Sequence, residues 1–294
     1  MFELWSLTKR HMLRYLKDRA AVFFSFLSVI ILLALYILFI GQSYTSDLPD
    51  IFPEELKVFL VVSLTMGGVL VINSMSLSLG IMGTFVEDMS KRNIDAFLVT
   101  PIKRWKIIIS YYLSAIIVTS VLSLVMWLLT IVYVGIASGY WYSFSVIIRA
   151  SGLLVLYTFI STSIMIFLVT LLKSINAFGA LSGILGTLVG FTSGIYMPLA
   201  ILGKGMQYFA SINPFTHMSV LLKQVLLEEP LAITIDYFDG YMDSYNVMLQ
   251  MYGSVNNGLF GADVSQIWLF LGIGVLSALL LAWAFRSMNR KIKS

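Results

Sequence analysis

The sequence predicts an all-α membrane protein. It has six transmembrane helices, an N-terminal interfacial amphipathic helix and an external helical hairpin or lobe before the last span. Three observations predict this. Of the 294 residues, 59% are hydrophobic and 12% charged, about half the ~25% charged share of a soluble domain. Six apolar runs are long enough to cross a hydrocarbon core, which takes ~20 helical residues. Finally, Lys and Arg gather on one side of the alternation that those runs impose.

The chain opens with a basic stretch, residues 1–19, read as a cytoplasmic interfacial helix. Phe2, Leu4, Trp5, Leu7, Met12, Leu13 and Leu16 alternate there with Lys9, Arg10, Arg14 and Lys17. The spacing is roughly helical, and a basic amphipathic helix lies in the headgroup plane. The plainer alternative is a solvated flank charged for topology alone. The first apolar run starts at about Ala20 with no small-residue cleavage pattern after it, so it reads as a retained span and not a signal peptide.

The remaining residues, 20–294, form one six-span domain. The spans fall near 20–41, 57–83, 107–136, 146–172, 176–197 and 266–285. They must be helices, because backbone groups find no water partners in the bilayer core. The third run exceeds what a crossing needs, so it tilts or extends beyond the bilayer.

With six spans both termini share a side, together with the loops near 84–106 and 173–175. Fifteen basic and five acidic residues fall on that side, a net of +10, and four basic and ten acidic residues on the other, a net of −6. The bias places both termini in the cytoplasm of a multi-pass protein of a cell membrane. The overall charge of +4 does not indicate nucleic acid, because the basic residues sit at the ends of apolar runs. The chain has no cysteine, which excludes disulfides, thiolate metal sites and a cysteine nucleophile.

Residues 198–265 are the largest external piece. They are too rich in Leu, Met, Tyr and Phe for a disordered linker. One or two short helices on the outer membrane surface are expected there, then a more polar lobe near 236–262.

The loop 84–106 is the most informative stretch. A short amphipathic piece, Ile94 to Val99, runs into Thr100-Pro101. Proline lacks a backbone donor and pushes the residue before it away from helical geometry, so a short helix must end there. Two long spans joined by a rigid cytoplasmic elbow make a handle that a partner can push. The plainer reading is an inside loop, positive for topology.

Glu87-Asp88 and Lys91, followed by Asp95-Ala-Phe-Leu-Val-Thr-Pro-Ile-Lys-Arg-Trp105, resemble the first cytoplasmic loop of ABC-2 type permeases. That loop usually reads acid, basic, Gly-Thr-Leu-Glu, an aliphatic run, then Ser/Thr-Pro-x-x-Arg. Here Arg92 and Asn93 stand where Gly-Thr is usual, and Asp95 keeps the acid. A second stretch, Gly194-Ile-Tyr-Met-Pro198, then Asn213-Pro-Phe-Thr-His217 and Leu222-Lys223, resembles the family's segment after its fifth span, with Lys223 in place of an Arg. The resemblance covers essentially the whole chain.

The resemblance implies the membrane subunit of a bacterial ABC exporter, similar to drug and antibiotic exporters. It implies coupling to an ABC ATPase through Glu87, Asp88, Lys91, Asp95, Phe97, Thr100, Pro101 and Arg104. It implies an external re-entrant or hairpin motif at Pro198, Asn213, Pro214, His217 and Lys223. Two ATPase copies and a second permease chain, identical or homologous, complete the working unit, with ATP and Mg on the ATPase. The chain itself is expected to hold no catalytic residue, metal or cofactor. It contains no G-x-x-x-x-G-K-[ST] phosphate loop, and Leu181-Ser182-Gly183, similar to an ABC signature, lies inside an apolar span.

Within the fifth span Gly179/Gly183, Gly186/Gly190 and Gly190/Gly194 have the spacing that lets helices approach closely. Packing against the chain's own helices is the favoured expectation, and a dimer seam or gate the alternative. The second and fifth spans are the expected dimer seam and cargo path. His217 is expected to serve as a structural cap, since metal binding would need carboxylates around it.

Ionisable residues are close to absent from the spans, which disfavours an ion-gradient-driven transporter. Asn73, Ser74, Ser76, Ser78, Ser161, Thr162 and Ser163 supply only neutral polarity, which suits hydrophobic or amphipathic cargo. A membrane anchor or sensor with no transport role would leave the elbow at Pro101 without a purpose.

Overall fold

The structure is a computed structural model and describes residues 2–23, 26–27, 30, 53–172, 174–196, 199, 203–237, 259–260, 262 and 264–291. The described residues include the helices α1 (Phe2–Lys17), α2 (Glu54–Ser90), α3 (Asp95–Leu98), α4 (Arg104–Ser138) and α5 (Phe144–Leu171). Further along are α6 (Ile175–Thr192), α7 (Lys204–Ile212), α8 (Pro214–Tyr237) and α9 (Gln266–Lys291). Five of them, α2, α4, α5, α6 and α9, are long and apolar enough to cross a membrane. They coincide with the second to sixth expected spans. Most of the first span (20–41), Pro198 and most of the lobe 236–262 lie outside the described residues.

Local chemistry sets the helix ends. Ser143 and Ser174 cap α5 and α6 by accepting hydrogen bonds from the backbone N–H groups of Val146 and Ala177 at 3.4 and 3.2 Å. Gly139 closes α4 in the left-handed region, at φ 72°, where a residue without Cβ is unstrained. The missing N–H of Pro214 costs nothing in the first turn of α8, and the Asn213 side chain accepts from Phe215 N–H at 3.1 Å.

The 37 residues of α2 and 35 of α4 make rods of about 50–55 Å at 1.5 Å per residue. Both exceed a ~30 Å core, so α2 as well as the third span projects beyond it. The short α3 lies between the end of α2 and the start of α4.

Helix α2 is the hub. It packs against α4, α5, α6 and α8, and 94% of its most apolar stretch is buried. This corrects the expectation that the second span forms a dimer seam, because its surface is consumed within one chain. Two of its serines bond to another helix of the same chain. Ser74 meets Ser161 at 3.3 Å and Ser78 meets Thr162 at 3.0 Å, joining α2 to α5. Tyr112 joins α4 to Ser163 of α5 at 2.9 Å.

The segment after α6 departs from the expectation of short helices lying on the outer surface. The 24-residue α8 does not lie flat on an outer surface but packs along α2, with Lys223 against Gly67. Gly67 is thirteen residues into α2, roughly 20 Å from its Glu54 end. The hairpin therefore re-enters the bundle.

In α1 the buried residues are Leu7, Thr8, His11 and Tyr15, a helical face turned to α4. Much of the expected apolar stripe points away from the protein, with Phe2 84% and Trp5 56% exposed and Leu13 and Leu16 also open. Both faces are thus used, one for protein and one suited to the headgroup plane.

Candidate functional site

The elbow is built where α1, the end of α2, α3 and the start of α4 meet. Asp88 is fully buried near the last turn of α2. Its carboxylate accepts from the Tyr111 hydroxyl of α4 at 2.6 Å, from Asn93 Nδ2 at 2.9 Å and from the Arg14 guanidinium of α1. The neighbouring Glu87 takes the other arm of Arg14 at 2.9 Å and Lys91 at 2.5 Å. A buried carboxylate is tolerated only when paired and hydrogen-bonded, and this one joins four segments: α1, α2, the turn and α4.

A second layer closes over that latch. The His11 ring stacks on Tyr111 with centroids 3.7 Å apart. Burial, then the charge of Arg10, pushes the His11 pKa down to about 3, with the Asp88 charge opposing and Arg14 adding to the fall. The ring is therefore neutral at physiological pH. Arg10 lies over the Phe97 ring of α3 at 4.7 Å, a cation–π contact. Glu3 of α1 pairs with Lys106 at 2.7 Å, and that bond and charge hold the Glu3 carboxyl below its usual range.

The expected elbow residues divide into two sets. Glu87, Asp88 and Phe97 face inward and fix the elbow to the protein. Lys91 pairs with Glu87 at the rim. Asp95, Thr100, Pro101 and Arg104 are exposed, with Val99 86% exposed among them. Thr100 also donates its hydroxyl to the Phe97 carbonyl at 2.5 Å, closing α3 before Pro101. Arg92, in the place of a usual glycine, adopts φ 57°. The left-handed turn is thus kept with a side chain that such geometry disfavours.

The hairpin residues converge on the end of α6. Asn213 donates from Nδ2 to the Thr192 hydroxyl at 2.6 Å. Ser219 donates to the Ser193 carbonyl at 3.1 Å, and the buried Lys223 ammonium donates to the same carbonyl at 3.0 Å and to that of Gly194 at 3.5 Å. These are carbonyls that a helix end leaves without intrahelical partners, at the negative end of its dipole. His217 Nε2 lies 2.7 Å from the Ser211 carbonyl.

The sixth-helix glycines do not form one seam. Gly190 is covered by the Tyr196 ring of its own chain, and Gly194 takes φ +66° in the turn beside Lys223. Among the described residues, nothing lies within 4 Å of where a Cβ would stand at Gly179, Gly183 or Gly186. Only 17% of the most apolar stretch of α6 is buried.

The family model for the ABC-2 type transporter matches residues 2–227, from α1 through the elbow to Lys223 and the next turn of α8. The chain belongs to the ABC-2 type transporter family. No curated protein was found to match it. The permease is thus a multi-pass membrane subunit of an ABC transport system, in a family of non-catalytic subunits that associate with an ABC ATPase.

Sequence reasoning missed Arg14, His11, Tyr111, Gly67 and Gly68. A Cβ at Gly67 would lie 2.5 Å from Lys223 Cγ, and one at Gly68 would lie 2.5 Å from Ile195 Cγ1. Their adjacency in the second span carried a signal for close approach, although they lack GxxxG spacing. Arg14 and Tyr111 carried none, because their partners are 74 and 23 residues away in sequence.

Proposed function

We propose that the permease is the membrane half of an ATP-driven exporter that moves a hydrophobic or amphipathic cargo out of the cytoplasm or inner leaflet of a bacterial cell membrane. Two permease chains, identical or homologous, meet through the open face of α6, with both termini cytoplasmic. Two ABC ATPases, holding ATP and Mg, dock on the outer side of the elbow at Asp95, Val99, Thr100, Pro101 and Arg104. One observation carries the reading: the elbow is exposed on one side and latched on the other to α1, α2 and α4 through Arg14, Glu87, Asp88 and Tyr111. A push on α3 is therefore delivered to two rods of about 50 Å, and the spans shift between two packings.

Affinity purification from the native membrane, with mass spectrometry of the companions, tests this. An ABC ATPase is expected in equal amount. Asp95→Lys is expected to lose it with the thermal melt unchanged, whereas Glu87→Lys acts through the latch and lowers the melt as well. A complex without an ATPase, from membranes that retain the ATPase partners of other permeases, refutes the reading.

A further inference from the structure

A cavity of about 250 Å³ opens between α5, α6 and the apex of the α7–α8 hairpin. Met165 and Leu168 form one wall, Leu185 and Leu188 a second, and Phe209 and Phe215 a third. We infer that this cavity is a binding site for one acyl chain of a bilayer lipid.

Three observations carry the inference. Among the described residues the lining has no charged side chain, and its one polar side chain, Asn213, is engaged at both ends of its amide, with Thr192 and with Phe215 N–H. Water needs two to four polar partners to occupy a cavity, and apolar cavities of about 150 Å³ stay dry and accept hydrocarbon guests. The lining here offers water no free polar partner among the described residues, and a hydrocarbon guest suits it. Second, both long walls are membrane-crossing helices, so acyl chains are the hydrocarbon at its mouth. Third, the rim residues Phe209 and Ile212 are exposed, as suits a mouth open to lipid and not one sealed within the chain. A chain seated there touches the hairpin apex, which Asn213 ties to the end of α6. The site goes beyond the exporter reading and does not depend on the ATPase.

The test uses the full-length permease alone in nanodiscs of phosphatidylcholine and phosphatidylglycerol. A few per cent of the phosphatidylcholine carries a diazirine near the end of one acyl chain. After photolysis, peptide mass spectrometry locates the adducts. Yields on Met165, Leu188 and Phe209 are expected to be several-fold above those on the exposed α9 residues Val275 and Leu279. Leu188→Trp, and independently Leu168→Trp from the opposite wall, should remove the cavity adducts and leave the α9 adducts unchanged. A melt identifies any variant that fails to fold, and the other then carries the test. Equal yields on α9 and the cavity, or cavity adducts unaltered by both tryptophans, overturn the inference. Protection of the cavity together with contact between two copies of α6 also overturns it, because a second chain is then the occupant.

Discussion

Replacing Gly67 by alanine places a methyl group where α8 crosses α2. Alanine favours a helix over glycine by about 1 kcal/mol, so a site with free space should gain stability. Gly67 has none. The new carbon would lie 2.5 Å from Lys223 Cγ, 2.8 Å from its backbone nitrogen and 2.9 Å from its Cα, where carbon contacts settle at about 3.5–4.0 Å. Two of the three atoms are backbone, so α8 must retreat by roughly 0.6–1 Å. Overpacking of this kind costs about 1–3 kcal/mol. The retreat also stretches the Lys223 and Ser219 bonds to the Ser193 carbonyl, now 3.0 and 3.1 Å; a bond from a charged group such as Lys223 contributes about 1.5–3 kcal/mol and a neutral one about 0.5–1.5 kcal/mol. With the helix gain offset against these losses, a net loss of about 2 kcal/mol is expected. In a tryptophan-fluorescence melt of the purified permease, Tm falls by a few degrees. Gly152→Ala on α5, where a Cβ meets none of the described residues within 4 Å, is the matched control and should hold or raise Tm. A Gly67→Ala permease as stable as the parent would falsify the close packing of the hairpin against α2.

Three further outcomes test the latch. Asp88→Ala strips partners from Arg14, Tyr111 and Asn93. Its expected cost is about 3 kcal/mol, at the low end for a broken buried pair because Arg14 keeps Glu87 and reaches water; an unshifted denaturation midpoint would refute the burial of Asp88. Arg92→Gly relieves a left-handed residue at φ 57°, a strain of about 1–2 kcal/mol partly offset by the freedom glycine loses on folding, so a gain of about 0.5–1 kcal/mol is expected. A loss of stability in the same melt would show that the Arg92 side chain stabilises the turn. The folded His11 value of about 3 lies below the ordinary 6.5, so the unfolded chain takes up a proton that the folded chain refuses. The resulting stability is fully present above about pH 6.5 and is lost as the pH falls from there toward 3. His11→Phe preserves the stack on Tyr111 and should flatten the acid side of a Tm–pH profile; an unchanged acid slope would exclude His11 as its source.

Five spans, the elbow before Pro101 and the two motif stretches were all legible in the chain. Run length against bilayer thickness decides the spans, and proline chemistry ends α3. Lateral placement was not legible. In water, an amphipathic helix reveals its buried face by its polar one. In a bilayer both lipid-facing and protein-facing surfaces are apolar, so α2, α4 and α5 carry no comparable stripe. Thus α2 and α6 read alike, yet one is the hub and the other lies largely open.

By itself the sequence determined which segments are apolar and long enough to leave water, and where helices must stop. These are local consequences of hydration, charge and backbone chemistry. The tertiary structure alone decided that Asp88 is a buried junction and not a contact surface, that Gly67 is crowded while no described residue crowds Gly183, and that α8 packs along α2. Each depends on atoms brought together from distant parts of the chain, and close packing admits or excludes a neighbour on differences of less than 1 Å.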